Sequence, residues 1–324
     1  MPGRRRTSRL SPDRFAYGAA AGLAVDLLVG DPRRGHPVAA FGRAAAAVEQ
    51  RLHHDHRGWG ALHTAVCVGS TAALGALAAR AVRNRPAAAV ALTAASVWAV
   101  VGGTTLGREA RAIGGALAAG DLEVARERLP HLCGRDPQSL DGPAMARAVV
   151  ESVAENTSDA VVGALFWGAV AGVPGLLGFR AVNTLDAMVG HKSPRHRRFG
   201  WASARLDDVA GWPGARLTAA LTAVAGGNPR GAVRAWRADA SQHPSPNAGP
   251  VEASFAGALG VRLGGTLSYA GRVEHRPVLN GEGRPVEVAD IDRAVRLSRR
   301  VTALTLAACV GGRLIVSALK RRNA

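Results

Sequence analysis

The chain has 324 residues and carries 41 Lys and Arg against 24 Asp and Glu, which gives a formal net charge of +17. Hydrophobic residues make up 48% of the chain, and this excludes a disordered protein. The charge alone suggests nucleic acid, but aromatic residues are only 4%, too few to supply base-stacking platforms, so we expect no nucleic-acid partner. The three distant cysteines fit neither a zinc motif nor a disulfide framework.

Three long stretches of the chain contain no Asp, Glu, Lys or Arg: residues 58–79, 86–107 and 160–179. Each is long enough for a helix that crosses a membrane, which takes about 20 apolar residues. Weaker apolar segments cover residues 15–29, 217–227 and 301–319. The sequence therefore predicts an all-α, polytopic membrane protein with about four to six membrane-embedded helices plus polar helical and loop segments. The alternative is an alanine-rich, all-α soluble core.

Clusters of arginine stand at both ends of the chain and between the apolar stretches. The positive-inside rule would keep all of them in the cytoplasm, which six strictly alternating spans cannot do. Some apolar segments are therefore expected to be re-entrant or interfacial. We expect a basic tail at 1–14 with an uncleaved apolar segment after it, one membrane domain at 15–319, and a basic tail at 320–324.

The first polar motif is Glu151-Ser-Val-Ala-Glu155-Asn156-Thr-Ser-Asp159, directly before the apolar stretch 160–179. On a helix, Glu151, Glu155 and Asp159 are successive i+4 neighbours and share one face. Three carboxylates on one face repel each other unless a cation lies against them, so the motif predicts a site for Mg²⁺ or an amine. A solvated helix face is the alternative.

The second polar motif follows the same apolar stretch. Arg180, Asn183 and Asp186 recur at intervals of three residues, which suggests a polar pocket rather than simple anchoring at a membrane end. Lys192 is one of only two lysines in the chain, and this makes it a candidate for contacting a phosphate.

Two further segments carry candidate groups. Asp207 and Asp208, preceded by Arg205, enter an apolar segment and are either a helix N-cap or metal ligands. The loop from His243 to Asn247 contains two prolines and is a candidate for ligand binding, within a region, 228–300, that we expect to be loop-like. The sequence has no P-loop, so any nucleotide is held in another way.

Four segments together resemble a known family. They are VDLLVGDPRRGHPVAAFGR (25–43), GRDPQSLDGPAMARAVVESVAENTSDAVVGALFW (134–167), FRAVNTLDAMVGHKSPRHRRFGWASARLDDVAGWPGARLTA (179–219) and DASQHPSPNAGPVEASFAGALGVRLGG (239–265). In this order they are similar to the CobD/CbiB proteins of cobalamin (vitamin B12) biosynthesis, the adenosylcobinamide-phosphate synthases. The resemblance covers about residues 15–315.

The resemblance implies an inner-membrane enzyme whose site faces the cytoplasm. It would join adenosylcobyric acid to (R)-1-amino-2-propanol, or to its O-phosphate, through an amide bond, with ATP and Mg²⁺ as expected cosubstrates. Other late enzymes of the pathway are expected partners. The alternatives are a related membrane sensor without ligase activity and a small-molecule transporter.

Residue roles follow as expectations from this chemistry and from residue type. The catalytic candidates are Glu151, Glu155, Asp186 and Lys192. The candidates for binding substrate or phosphate are Arg180, Asn183, Arg205, His243 and Asn247. The metal candidates are Asp159, Asp207 and Asp208. Corrinoid, aminopropanol or its phosphate, and membrane lipid are the expected small-molecule partners.

Overall fold

The computed structural model describes residues 13–32, 35–191, 193–269 and 272–322. Over these residues the protein is almost entirely helical, as the apolar stretches predict. The α-helices are α1 Arg14–Val29, α2 Pro37–Leu52, α3 Arg57–Ala81, α4 Pro86–Val100, α5 Gly103–Ala118, α6 Leu122–Arg128, α7 Gly142–Asn156, α8 Gly163–Leu185, α9 Trp201–Ala225, α10 Pro229–Asp239, α11 Ala248–Leu259 and α12 Ala289–Arg322. Short 3-10 helices cover Leu129–His131, Pro137–Ser139 and Ala240–Gln242.

Two π-helical segments, Thr157–Val162 and Asp186–Gly190, flank α8 and make residues 142–190 nearly continuous. By length and composition, four helical stretches can cross a membrane, and they cover Arg57–Ala81, Pro86–Ala118, Gly142–Gly190 and Ala289–Lys320. The prediction of a polytopic helical membrane protein is confirmed.

The apolar stretch 160–179 does not form one straight span, because α8 reverses at Gly172. Gly172 has φ 68° and ψ −150°, and Pro174 follows it. Gly163 packs against the Phe179 ring, although a straight helix would hold residues 16 apart about 24 Å from each other. The segment 157–190 is therefore a helical hairpin, with a first arm (157–171) and a second arm (173–190). Each arm is too short to hold a 20-residue apolar span, which agrees with the expectation of a re-entrant segment.

The ends of the helices define two sides of the molecule. On the tip side, Arg313 of α12 donates to Asp13 at 2.8 Å and to the Ala169 carbonyl at 2.7 Å, and Arg14 donates to the Arg83 carbonyl at 2.7 Å. The base side is the opposite side of the hairpin, where Thr157 donates to Ser298 at 2.6 Å.

α1 and α4 run in parallel, since Gly18 packs on Thr93 and Gly22 on Val97. α3 runs antiparallel to the second arm, because Gly75 contacts Pro174 and Gly178 contacts Ala72. The hairpin ends on the side of the molecule where it starts. Three polar stretches therefore lie on the base side: residues 108–159, 180–208 and 227–300. The hairpin thus gathers the long polar stretches on one side, but the basic clusters near Arg14, Arg83 and Arg322 lie on the tip side, so the positive-inside rule is still not met by every cluster.

The expectation of loop-like structure across 228–300 is wrong. This region holds α10, α11, the first turns of α12, and an antiparallel pair of strands, β1 Leu263–Tyr269 and β2 Arg272–Leu279. Every residue of α11 is buried, so this short helix forms part of the main hydrophobic core rather than a surface loop. Its apolar composition, together with tertiary packing, outweighs the nearby turn-forming prolines and glycines.

Candidate functional site

Polar residues from three helices converge at the base of the hairpin. Asp159 from the first arm lies within electrostatic range of Asp207, Glu155, Arg180 and Asp186. The reversal at Gly172 causes this convergence, because it returns residues 180–186 to the level of residues 155–159. The structure therefore brings together residues that the sequence places in separate motifs.

Glu155 is the solvent-accessible acid of the cluster. The residue is exposed to solvent, yet it is surrounded by charged groups that include Arg276, Arg135, Glu151 and Asp186. Glu155 is therefore accessible to a bound molecule.

Glu151, by contrast, is already engaged by the protein. It is buried, pairs with Arg135, and accepts a hydrogen bond of 2.7 Å from the backbone N–H of Gly264 at the start of β1. Arg147 lies 4.0 Å away. The contacts of Glu151 connect α7 to the β-hairpin. A carboxylate that is paired and hydrogen-bonded in this way is suited to positioning rather than to proton transfer.

Asp207 and Asp208 lie inside α9, two turns after its N-terminus, so the N-cap alternative is wrong: Gly200 occupies that position. The Asn183 side chain hydrogen-bonds Asp207. Burial, with the neighbouring Asp186 carboxylate, raises the pKa of Asp207 to about 7. Asp207 is therefore short of positive charge in the structure, as expected of a group that meets a cation.

Three residues that were predicted to bind substrate or phosphate have other contacts in the structure. Asn247 donates to the carbonyls of Asp207 and Asp208 at 3.3 and 3.1 Å, so it fixes α9 instead of facing a ligand. Arg205 is largely exposed and pairs with Asp208 at 3.1 Å. His243 is buried behind the cluster. Lys192, a predicted phosphate contact, lies outside the described residues.

Arg180 is a cation beside the cluster, within electrostatic range of Asp159 and Asp31. Its one hydrogen bond within the described part of the chain goes to Asn183 Oδ1 at 3.3 Å, and no carboxylate there approaches it within 4.0 Å. It lines a cavity of about 350 Å³ together with Thr105, His131 and Asn156. A half-buried guanidinium with an unused Nε donor next to a cavity is suited to binding an anion.

Sequence reasoning missed two buried acids near the cluster. Asp26 accepts from the N–H and the hydroxyl of Thr104 at 3.1 and 2.9 Å, and it caps the first turn of α5. Glu252 lies 3.7 Å from His243 Nε2 within a helix that is buried on every side. In the sequence, Asp26 interrupts an apolar segment and Glu252 follows a turn-rich loop. An isolated acid in such surroundings is the signal from which both buried acids could have been predicted.

The donor set has the hard oxygen atoms that Mg²⁺ prefers, but it does not form a complete cage. Within residues 13–32, 35–191, 193–269 and 272–322, no group of three or more His, Cys, Asp or Glu side chains is placed to hold a metal ion. Mg²⁺ that accompanies a nucleotide is commonly held by one or two carboxylates together with phosphates and water. Asp159 and Asp207, which lie near each other, are suited to that partial role.

These features define a class: a helical membrane protein with a helical hairpin whose base brings several carboxylates and one guanidinium together. The family model described as CobD/Cbib protein matches residues 19–298, and the chain belongs to that family. Within the cobalamin pathway, this membership implies a corrinoid substrate.

Curated relatives support the assignment. The chain is 56% identical over 293 residues to the cobalamin biosynthesis protein CobD of Mycobacterium tuberculosis, covering 89% of this chain and 92% of the relative. It is 42% identical over 302 residues to the CobD of Chromobacterium violaceum, covering 92% and 96%. It is 40% identical over 297 residues to the CobD of Rhodobacter capsulatus, covering 89% and 94%. No solved structure matches the chain.

Proposed function

We propose that the protein forms the amide bond between adenosylcobyric acid and (R)-1-amino-2-propanol, or its O-phosphate, in an ATP- and Mg²⁺-dependent reaction. The observation that carries the proposal is the convergence of Glu155, Asp159, Asp186 and Asp207 at the hairpin base, with Arg180 next to Asp159. Family membership supplies the pathway, and this convergence supplies groups of the right chemistry.

The reaction needs three things from the protein. A carboxylate must be activated, the ammonium of the amine must lose a proton, and the negative charge that develops on the attacked carbonyl must be stabilised. ATP and Mg²⁺ supply the activation when bound. Arg180 retains free donors for an anionic group, and Asn183 holds Asp207 in place.

The carboxylates of the cluster are suited to binding the amine substrate. Glu155 is the accessible acid of the cluster and Asp186 is next to Asp207, so these two are placed to bind an ammonium and to accept its proton. A cluster of like charges in a desolvated pocket binds a cation more tightly than the same groups in water. We also propose that the base side faces the cytoplasm of a cell-membrane protein, since ATP is available there.

The direct test uses the purified protein in detergent with adenosylcobyric acid, aminopropanol or its phosphate, ATP and Mg²⁺. The expected result is a new corrinoid, identified by mass as the amide, whose formation requires ATP. Absence of the amide product, together with no rescue of a strain that lacks this step, would refute the proposal and favour a sensor or a transporter.

A further inference from the structure

A groove runs along the first hairpin arm on the tip side of the molecule. It has a volume of about 590 Å³ and lies between that arm, α9 and α12. Phe166, Val170, Leu217 and Cys309 form its walls. The groove lies well away from the carboxylate cluster, which is at the opposite end of the hairpin, and the proposed reaction does not use it.

The groove opens at the level of the bilayer. Its wall on α12 belongs to the apolar part of that helix, within a stretch long and apolar enough to cross a membrane. Val170 and Val316 line it and are largely exposed. An apolar groove at this depth meets hydrocarbon rather than water, so an acyl chain is the occupant that its walls fit.

The outer end of the groove is basic. Arg313 is already used by Asp13 and the Ala169 carbonyl, but Lys320 is exposed and has no ion pair among the described residues. Ser317 lies one turn before Lys320 and also lines the groove. No acid lines the groove, so a negatively charged headgroup meets an ammonium and a hydroxyl without repulsion.

We propose that this groove binds one anionic phospholipid, with an acyl chain along Leu217 and Cys309 and its headgroup phosphate against Lys320 and Ser317. The lipid covers the face of the first arm that the protein leaves open. Because Arg313 holds the end of this arm on α1 and α12, the lipid stabilises the hairpin where it inserts into the membrane.

Two adjacent glycines of α12 allow a matched test. Gly312 lines the groove and Gly311 does not, and a side chain at either position would meet open space. Gly312→Trp fills part of the groove, whereas Gly311→Trp adds the same side chain next to it. Each variant is purified in mild detergent with phosphatidylglycerol, and bound lipid is counted by native mass spectrometry. We expect wild type and Gly311→Trp to retain one lipid and Gly312→Trp to retain none.

The headgroup is tested with Lys320→Gln, with Arg322→Gln as the control for removing one nearby charge. Loss of one basic contact should weaken phosphatidylglycerol retention about fivefold in Lys320→Gln only. Phosphatidylcholine should be retained poorly by all forms, and inorganic phosphate should not compete. Equal retention of the two lipids, equal loss in both glycine variants, or a dimer of the chain in place of bound lipid would overturn the proposal.

Discussion

At the scale of single residues, the site depends on which charges the protein has already neutralised. Glu151 is matched by Arg135 and by the Gly264 N–H, and Asp26 is matched by Thr104. Within the described residues, no Lys or Arg side chain lies within 4.0 Å of the acids at the hairpin base, although Asn183 hydrogen-bonds Asp207, and the one side-chain hydrogen bond of Arg180 goes to Asn183. Residue type alone could not separate these two kinds of acid, because the difference lies in contacts with residues distant in the sequence.

Glu252 provides a prediction at this scale. Burial, and then the nearby Glu151 and Glu155 carboxylates, raise the pKa of Glu252 well above its usual value of 4.5; Arg135 and Arg276 oppose the rise. His243 lies beside it. The folded state thus holds a proton that the unfolded chain releases above about pH 4.5, so the free energy of unfolding falls as the pH rises above that value.

Glu252→Gln removes this cost, because the amide stays neutral at every pH. We expect its melting temperature to exceed that of wild type at pH 8 by about 2–4 °C for each kcal/mol recovered, and to match wild type near pH 4. Scanning fluorimetry of the detergent-solubilised protein measures this. Glu282→Gln, at an exposed position, should show no such trend. A variant that is less stable than wild type at both pH values would contradict the account.

At the scale of elements, the hairpin creates the site. The carboxylates of the first arm and the Arg180–Asp186 segment of the second arm meet only because the chain reverses at Gly172. The charge-free stretch 160–179 predicted a segment embedded in the membrane. It could not show the reversal, because one Gly and one Pro in an apolar stretch are equally compatible with a kinked span.

Substitution of Gly172 tests the reversal. Its φ of 68° with ψ of −150° is a combination that only glycine adopts readily, although space for a Cβ is available. Gly172→Ala should therefore cost about 1–3 kcal/mol of stability and lower turnover. Gly115→Ala, at an open helical position, should be neutral or slightly stabilising. Equal stability and turnover in Gly172→Ala and wild type would show that alanine adopts this backbone conformation without strain, and would contradict the prediction.

At the scale of the whole molecule, the sequence predicted the class and the helical composition, and it singled out most residues of the cluster without showing that they meet. Glu155, Asp159, Arg180, Asn183 and Asp186 were recognisable because they lie directly beside the apolar stretch whose two ends the hairpin joins. The helical structure within 228–300 was not predicted, since α11 is held by burial in the core rather than by its own sequence pattern.

The two sides of the molecule can be tested by labelling. Arg83→Cys and Arg322→Cys place a thiol on the tip side, whereas His131→Cys and Arg237→Cys place one on the base side, each in a Cys133→Ser background. A membrane-impermeant maleimide added to intact cells should label the members of one pair and neither member of the other. Labelling of one member from each pair would contradict this arrangement of the polar segments.

The most direct measurement is the turnover of acid-to-amide variants in the corrinoid assay. Glu155→Gln and Asp186→Asn keep the shape of each side chain but remove the charge from the hairpin base, while Glu282→Gln makes the same change on the surface. If the cluster binds and deprotonates the amine, both cluster variants should lose at least about 100-fold in turnover, in the range that acid–base groups contribute, and Glu282→Gln should match wild type. Near-normal turnover in Glu155→Gln and Asp186→Asn would contradict the account.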